Sequence, residues 1–244
     1  MNKLSVDTLQ APTPIKAGHT LIYQFEKNSQ VTDDLILFDP EINTVIIKVE
    51  ANSRIQLFEK VKTERHISYR YELAEQAMLS VSRCNNNIKV VEKNEAHLNG
   101  EHSIFELKVA TISKTQQTYQ FDIFHHAKQT TSTIVNHGVT FDHGSLELNV
   151  NGTIDKGSIK TSLNQESKVI VFGDGITDIR PNLYIDEEDV EARHSAVIGG
   201  FGEEELFYLQ SRGLTKHQAE ELLLTGFLQG NLDPKIRSEM EVKQ

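Results

Sequence analysis

The chain has 244 residues, 38% hydrophobic and 25% charged, with a formal net charge of −10. This length supports one large domain with a sizeable core, and the acidic balance argues against sequence-independent binding to nucleic acid or anionic lipid. No apolar run nears the roughly 20 residues that span a bilayer, and the N-terminus lacks an apolar secretory core, so the expected location is the cytoplasm.

Residues 1–20 read as an irregular lead-in carrying Pro12, Pro14 and Gly18. From Leu21 onward short alternating or apolar runs rich in Val, Ile, Thr and Phe follow one another. They include Leu35–Phe38, Thr44–Val49, Ile55–Phe58, Ile67–Tyr71, Ile104–Val109, Tyr119–Phe124, Ser145–Val150 and Lys168–Phe172. Turn residues punctuate them at Asp39-Pro40, Asn85–Asn87, Asn99-Gly100, Asn136–Gly138, Asn151-Gly152 and Gly173–Gly175. This pattern predicts a mainly β core over residues 21–199. Sandwich, barrel and solenoid all fit it. The scarcity of two-residue hairpin signals, with Asn99-Gly100 and Asn151-Gly152 the best, leans toward stacked rungs, as does the recurrence of runs without intervening helices.

Within this core the chemistry is sparse. Cys84, the one cysteine, excludes an internal disulfide framework and a four-thiolate site; beside Arg83 it could be reactive, but a structural thiol is the expected role. His125, His126, His137 and His143 cluster in sequence, yet strand alternation sends His125 and His126 to opposite faces. Gly138 and Gly144 are expected to end the strands after His137 and His143. No His-x-His pair of a cupin-like barrel occurs. There is no phosphate-binding glycine loop and no Gly-x-Ser-x-Gly elbow. The acidic stretch Asp186–Glu191 reads as a solvated turn.

Residues 200–244 read as a helical segment. Glu203, Glu204 and Glu205 suit the first turn of a helix, with Leu206, Leu209 and Phe207 on its apolar face and Gly213 as a left-handed cap. Thr215 and Gln218 form a capping box for a second helix. Ala219, Leu222, Leu223 and Phe227 are its apolar positions, and Gly230 its end. Asp233-Pro234 predicts a third, short polar helix to about Val242. Helices this short need a packing partner.

Several of these segments, in this order, resemble the SufB/SufD family of iron–sulfur cluster assembly scaffolds. Arg180–Val190 resembles the family's Pro-x-Leu-x-Ile element with its acidic turn. His194-Ser-Ala-Val-Ile-Gly199 is similar to the His-Gly-Ala-x-x-Gly of SufD, and Glu205–Gly213 to Leu-Phe-Tyr-Leu-x-Ser-Arg-Gly. Upstream, His126–Ser132 resembles a His-x-Ala-x-x-Thr-x-Ser element less closely. The resemblance implies a right-handed parallel β-helix with terminal helices. It implies docking of a SufC-like ABC ATPase through Glu205, Leu206, Phe207, Tyr208, Leu209, Arg212, Leu222, Leu223 and Phe227. It also implies pairing through the β-helix with a SufB-like subunit or a second copy. His194 then corresponds to the SufD histidine at the seam, a metal or cluster ligand, with neighbouring Arg193 expected to disfavour its protonation if close. No cofactor would be tightly bound; iron or a cluster would be held transiently at the interface. The segment Asn164–Ile170 lacks the cysteine of SufB, which makes the chain SufD-like, and it is short for the family. The expected function is a non-catalytic assembly scaffold. The alternatives are a cupin-like metal-binding barrel using His125, His137 and His143, and a β-helix hydrolase pairing Asp122 with Asp142.

Overall fold

The computed structural model describes residues 11–35, 37 and 39–240. It is mainly β, a parallel β-solenoid of about 7 turns with two helices near the C-terminus. The strands are β1 (Ile15–Ala17), β2 (Thr20–Phe25), β3 (Gln30–Asp34), β4 (Thr44–Val49), β5 (Arg54–Val61), β6 (Arg65–Leu73), β7 (Met78–Asn86) and β8 (Val90–Leu98). Then come β9 (Ile104–Ser113), β10 (Gln116–His125), β11 (Thr131–Thr140), β12 (Ser145–Ile154), β13 (Thr161–Val171), β14 (Ile176–Ile185) and β15 (Val190–Gly199). Even-numbered strands stack in one sheet, in the order β2-β4-β6-β8-β10-β12-β14, with β1 antiparallel on β2; odd-numbered strands stack in the other, from β3 to β15. Two strands, one from each sheet, make a rung. This excludes the barrel and sandwich alternatives.

Alternation explains the interior. In β10 the residues Tyr119, Phe121, Ile123 and His125 point inward and are buried, while their neighbours face out. Because parallel strands pair in register, inward residues form columns along the stack. The rungs lengthen along the chain, so no fixed period repeats: Ser29 bonds Ser53, 24 residues on, whereas Thr130 meets Thr161, 31 residues on. What does repeat is a corner. Asn28, Asn52, Gln76, His102, Gln129 and Lys160 all adopt positive φ, between 54° and 63°. Each donates its backbone N–H to a carbonyl on the next rung, at 3.0 Å for Asn28 and 2.9 Å for Gln129.

Two of the expected turns are strand. Asn136–Gly138 lies inside β11, so Gly138 does not end the strand after His137, and Asn151-Gly152 lies inside β12. Their glycines are needed for a narrow lumen: a Cβ at Gly138 would come 2.6 Å from Leu146, and one at Gly152 2.3 Å from Leu163. Of the run Leu35–Phe38, Leu35 and Leu37 follow β3 without strand structure, while Ile36 and Phe38 lie outside the described residues, as do residues 1–10 of the lead-in.

The tail begins with α1 (Glu203–Ser211) and α2 (Lys216–Asn231). Gly213 takes φ 94° between them, and Thr215 and Gln218 form the expected box, at 3.2 and 2.9 Å. Gly230 does not end α2. The helix continues to Asn231, whose amide donates to the Val109 and Val135 carbonyls of the odd sheet at 2.9 and 3.1 Å. After it, the expected third helix is a single 3-10 turn, Arg237–Glu239; residues 241 and 242 of that expectation lie outside the described residues. The outer face of the odd sheet is apolar at Phe58, Cys84, Ala110, Ile112, Val139 and Ile170, and the tail covers it with Leu224, Leu228, Leu232, Ile236 and Met240. Among the described residues, no helix is long and apolar enough to cross a membrane.

Candidate functional site

The last rung is the least covered part of the solenoid. Among the described residues, β14 pairs only with β12, and β15 only with β13, so each leaves one edge unpaired. Ile176, Tyr184, Ile185, Val197 and Ile198 are exposed there. Register assigns the faces: Thr161, Leu163, Gln165, Ser167 and Val169 of β13 are buried inward, and they pair with Val190, Ala192, His194, Ala196 and Ile198. His194 therefore sits on the lumen face of the open end, directly on Gln165, with Ile134 and Leu107 below in the same column. Arg193, next along the strand, takes the opposite face, 3.8 Å from Glu191.

Beneath the last rung, two buried amides interrupt the apolar lumen. Gln165 is 1% exposed; its Nε2 donates to the Asn182 carbonyl at 3.4 Å and its Oε1 has no partner. Asn136 donates to Ser167 at 3.2 Å, and its Oδ1 is also unpartnered.

A second candidate surface is α1. None of its residues is buried, and it presents Phe207 at 74% exposure and Tyr208 at 57%, with Arg212 over the Tyr208 ring. Glu204, Glu205, Tyr208, Leu209 and Leu223 line a groove of about 370 Å³ between the helices. Leu206 is half-buried and Leu222 is exposed. Phe227 faces the solenoid: its ring stacks on His137 at 4.4 Å, and its carbonyl accepts from His137 Nδ1 at 2.9 Å. The buried positions of α2 are Ala219, Leu224, Leu228 and Asn231. Of these only Ala219 was legible beforehand, because Leu222, Leu223 and Leu224 are consecutive and periodicity alone does not choose among them. The linker into α1 is pinned by Phe201, edge-on to Phe172, which stacks on Phe141.

The clustered histidines do not converge. His125 is buried in the lumen, bonded to Thr130 at 2.7 Å and Ser132 at 2.8 Å, and burial pushes its pKa down to about 3. The His-to-Thr-to-Ser element is thus a corner staple built on His125. His126 faces out; Nδ1 meets Asp155 at 2.6 Å and Nε2 meets His97 Nδ1 at 3.2 Å. The His97 and His126 rings lie nearly coplanar, 5.5 Å between centres, so the two nitrogens point straight at each other. That gap fits a shared proton; an in-line metal would need about 4 Å. His137 sits under α2, and His143 is exposed at a corner. Asp122, on β10, accepts from Gln120 and Asn151, while Asp142, in a corner, accepts from the Asp174 amide, so they form no carboxylate pair. Cys84 lies beneath the tail, and burial pushes its thiol up to about 12, the inert structural role expected. Among the described residues no group of three or more His, Cys, Asp or Glu side chains is arranged to hold a metal ion.

The family model for the SUF system FeS cluster assembly SufBD core domain matches residues 44–227. The iron–sulfur cluster assembly protein SufD of Bacillus subtilis is 35% identical over 146 residues, which is 59% of this chain and 33% of that protein. SufD of Escherichia coli is 28% identical over 117 residues, covering 48% of this chain and 27% of the relative. An iron–sulfur cluster assembly SufBD family protein of Mycobacterium tuberculosis is 31% identical over 140 residues, or 54% and 16%. The matched stretch is thus a third or less of each of these relatives. With three quarters of its length matched by the family model, the chain belongs to the SufBD family of iron–sulfur cluster assembly proteins.

Proposed function

We propose that this chain is a non-catalytic scaffold subunit of a SUF-type assembly complex, pairing through its last rung and docking an ABC-type ATPase through α1 and α2. The observation that carries the reading is the uncovered end of the solenoid, where two unpaired strand edges and exposed apolar side chains share the last rung with His194. Unpaired edges are templates for another chain. A second copy or a SufB-like subunit of the same two-sheet construction could meet both edges at once. The exposed Phe207 and Tyr208 on α1, beside an acidic and apolar groove, supply a helical surface of the kind partners cover.

Iron is cargo in this scheme. His194 offers one imidazole, a donor that suits iron, and Cys84 is shut away under the tail. This chain's donor set is therefore incomplete, and the partner scaffold has to supply the remainder. Force from the docked ATPase would enter at α1 and reach the rungs through α2. Co-expression with SufB-like and SufC-like subunits, then size-exclusion chromatography and iron determination, tests the reading. Co-elution of all three with iron is expected; elution of this chain alone overturns it.

A further inference from the structure

We propose that Gln165 is the positioning residue for His194, its side-chain oxygen taking a ring N–H so that the second ring nitrogen presents its lone pair at the open end. The inference rests on the reading of His194 as a ligand for cargo iron. Four observations lead to it. Gln165 and His194 are register partners on adjacent parallel strands and share the lumen face; such neighbours lie about 4.8 Å apart at the backbone. Gln165 is 1% exposed, and its Oε1 has no hydrogen-bond partner, an arrangement that is costly unless something donates to it. Its Nε2 is already engaged by the Asn182 carbonyl on the facing sheet, which fixes which end of the amide is free. Room for the amide comes from the facing strand: a Cβ at Gly152 would stand 2.9 Å from Nε2.

Among the described residues, the only strand neighbour above Gln165 in this column is His194, because β15 is the last strand of its sheet. Its ring is exposed at the open end, and in the proposed bond it would turn over the lumen toward the amide oxygen. Ligating imidazoles regularly hand their other N–H to a carbonyl or carboxylate, which fixes tautomer and orientation, and losing that partner typically weakens metal affinity 10–100-fold. The carboxamide suits this role: it accepts the N–H and, carrying no charge, adds no buried ion.

The test uses the full chain assembled with a SufB-like subunit, which completes the donor set, with Co²⁺ as the metal probe followed by visible absorption, and ¹⁵N-detected NMR of the His194 ring at a pH where imidazole is neutral. The wild-type chain should show a slowly exchanging ring N–H. Gln165→Met, apolar and of similar shape, should lose that signal and weaken Co²⁺ binding about 10-fold or more. Gln165→Glu keeps an acceptor and should retain the slow N–H. A fast-exchanging N–H in the wild-type chain overturns the proposal without any variant, and so does unchanged Co²⁺ affinity in Gln165→Met. Loss of Co²⁺ binding in His194→Ala with none in Gln165→Met sinks the role of Gln165 and leaves the cargo reading standing. Unchanged cluster yield in His194→Ala within the complex sinks the cargo reading, while the N–H exchange result still judges the hydrogen bond.

Discussion

Arg83 is buried completely in the lumen, where its guanidinium bonds Glu59 at 2.6 Å, Asn94 and Tyr71 at 3.0 Å, and Glu92; Arg65 adds a contact to Glu59 at 2.8 Å. Four charges from four adjacent strands, two of each sign, cancel in this way. Burial alone would raise the Glu59 carboxyl, but Arg83 and then Arg65 outweigh it and hold it at about 2. Removing one member strands the others, so Arg83→Met should cost about 3–5 kcal/mol, read from the urea midpoint. The folded value of Glu59 lies below its ordinary 4.5, so its stabilisation is full above that pH and is lost as pH falls toward 2. His125 acts at milder acidity. Burial holds its folded value near 3, below the usual 6.5, so the unfolded chain binds more protons across that interval and stability falls as pH drops through it. In His125→Gln the loss beginning near pH 6.5 should shrink, with His97, also held below 6.5 by burial, supplying what remains, while the loss below about 4.5 is unchanged; superimposable profiles would refute the assignment.

The C-terminal tail is the element that joins the helices to the early rungs. Beyond α2 it runs back across the odd sheet and ties down through Gln56 to Asp233 at 2.9 Å, Lys60 to Glu239 at 2.6 Å and Lys235 to Asp34 at 3.0 Å. These are largely exposed polar links, worth little individually; the hold comes from Leu232, Ile236 and Met240, all nearly fully buried. Ile236→Asp should free the strap without unfolding the solenoid. Cys84 beneath it reports the outcome: thiol labelling in native buffer should rise at least tenfold, with circular dichroism unchanged. Labelling as slow as in the wild-type chain would mean that the strap does not guard the thiol. At the other end, Leu206→Asp with Phe207→Asp should abolish ATPase capture and leave the melting of the body unaltered, because α1 buries no residue against it. Retained capture would refute the docking surface.

On the scale of the whole molecule, the two-sheet stack leaves one rung exposed, and the proposed interface and the proposed ligand role of His194 both rest on that rung. His194→Ala removes a ring that no described hydrogen bond ties to the body, so folding and complex assembly should be intact while iron recovered in the complex falls. Equal iron content would exclude a ligand role. The sequence by itself determined the mainly β core, both helices with Gly213 and the Thr215 box, and the family, because these depend on local signals: alternation, capping and contiguous motifs. It placed Asn136–Gly138 and Asn151-Gly152 in turns, since a glycine that spares the lumen a Cβ looks locally the same as one that bends the chain. The unequal rungs hid the left-handed corners. Which of three consecutive leucines on α2 packs, that Gln165 lies beneath His194, and that Arg193 faces away are matters of register between residues distant in the chain, and only the tertiary structure decided them.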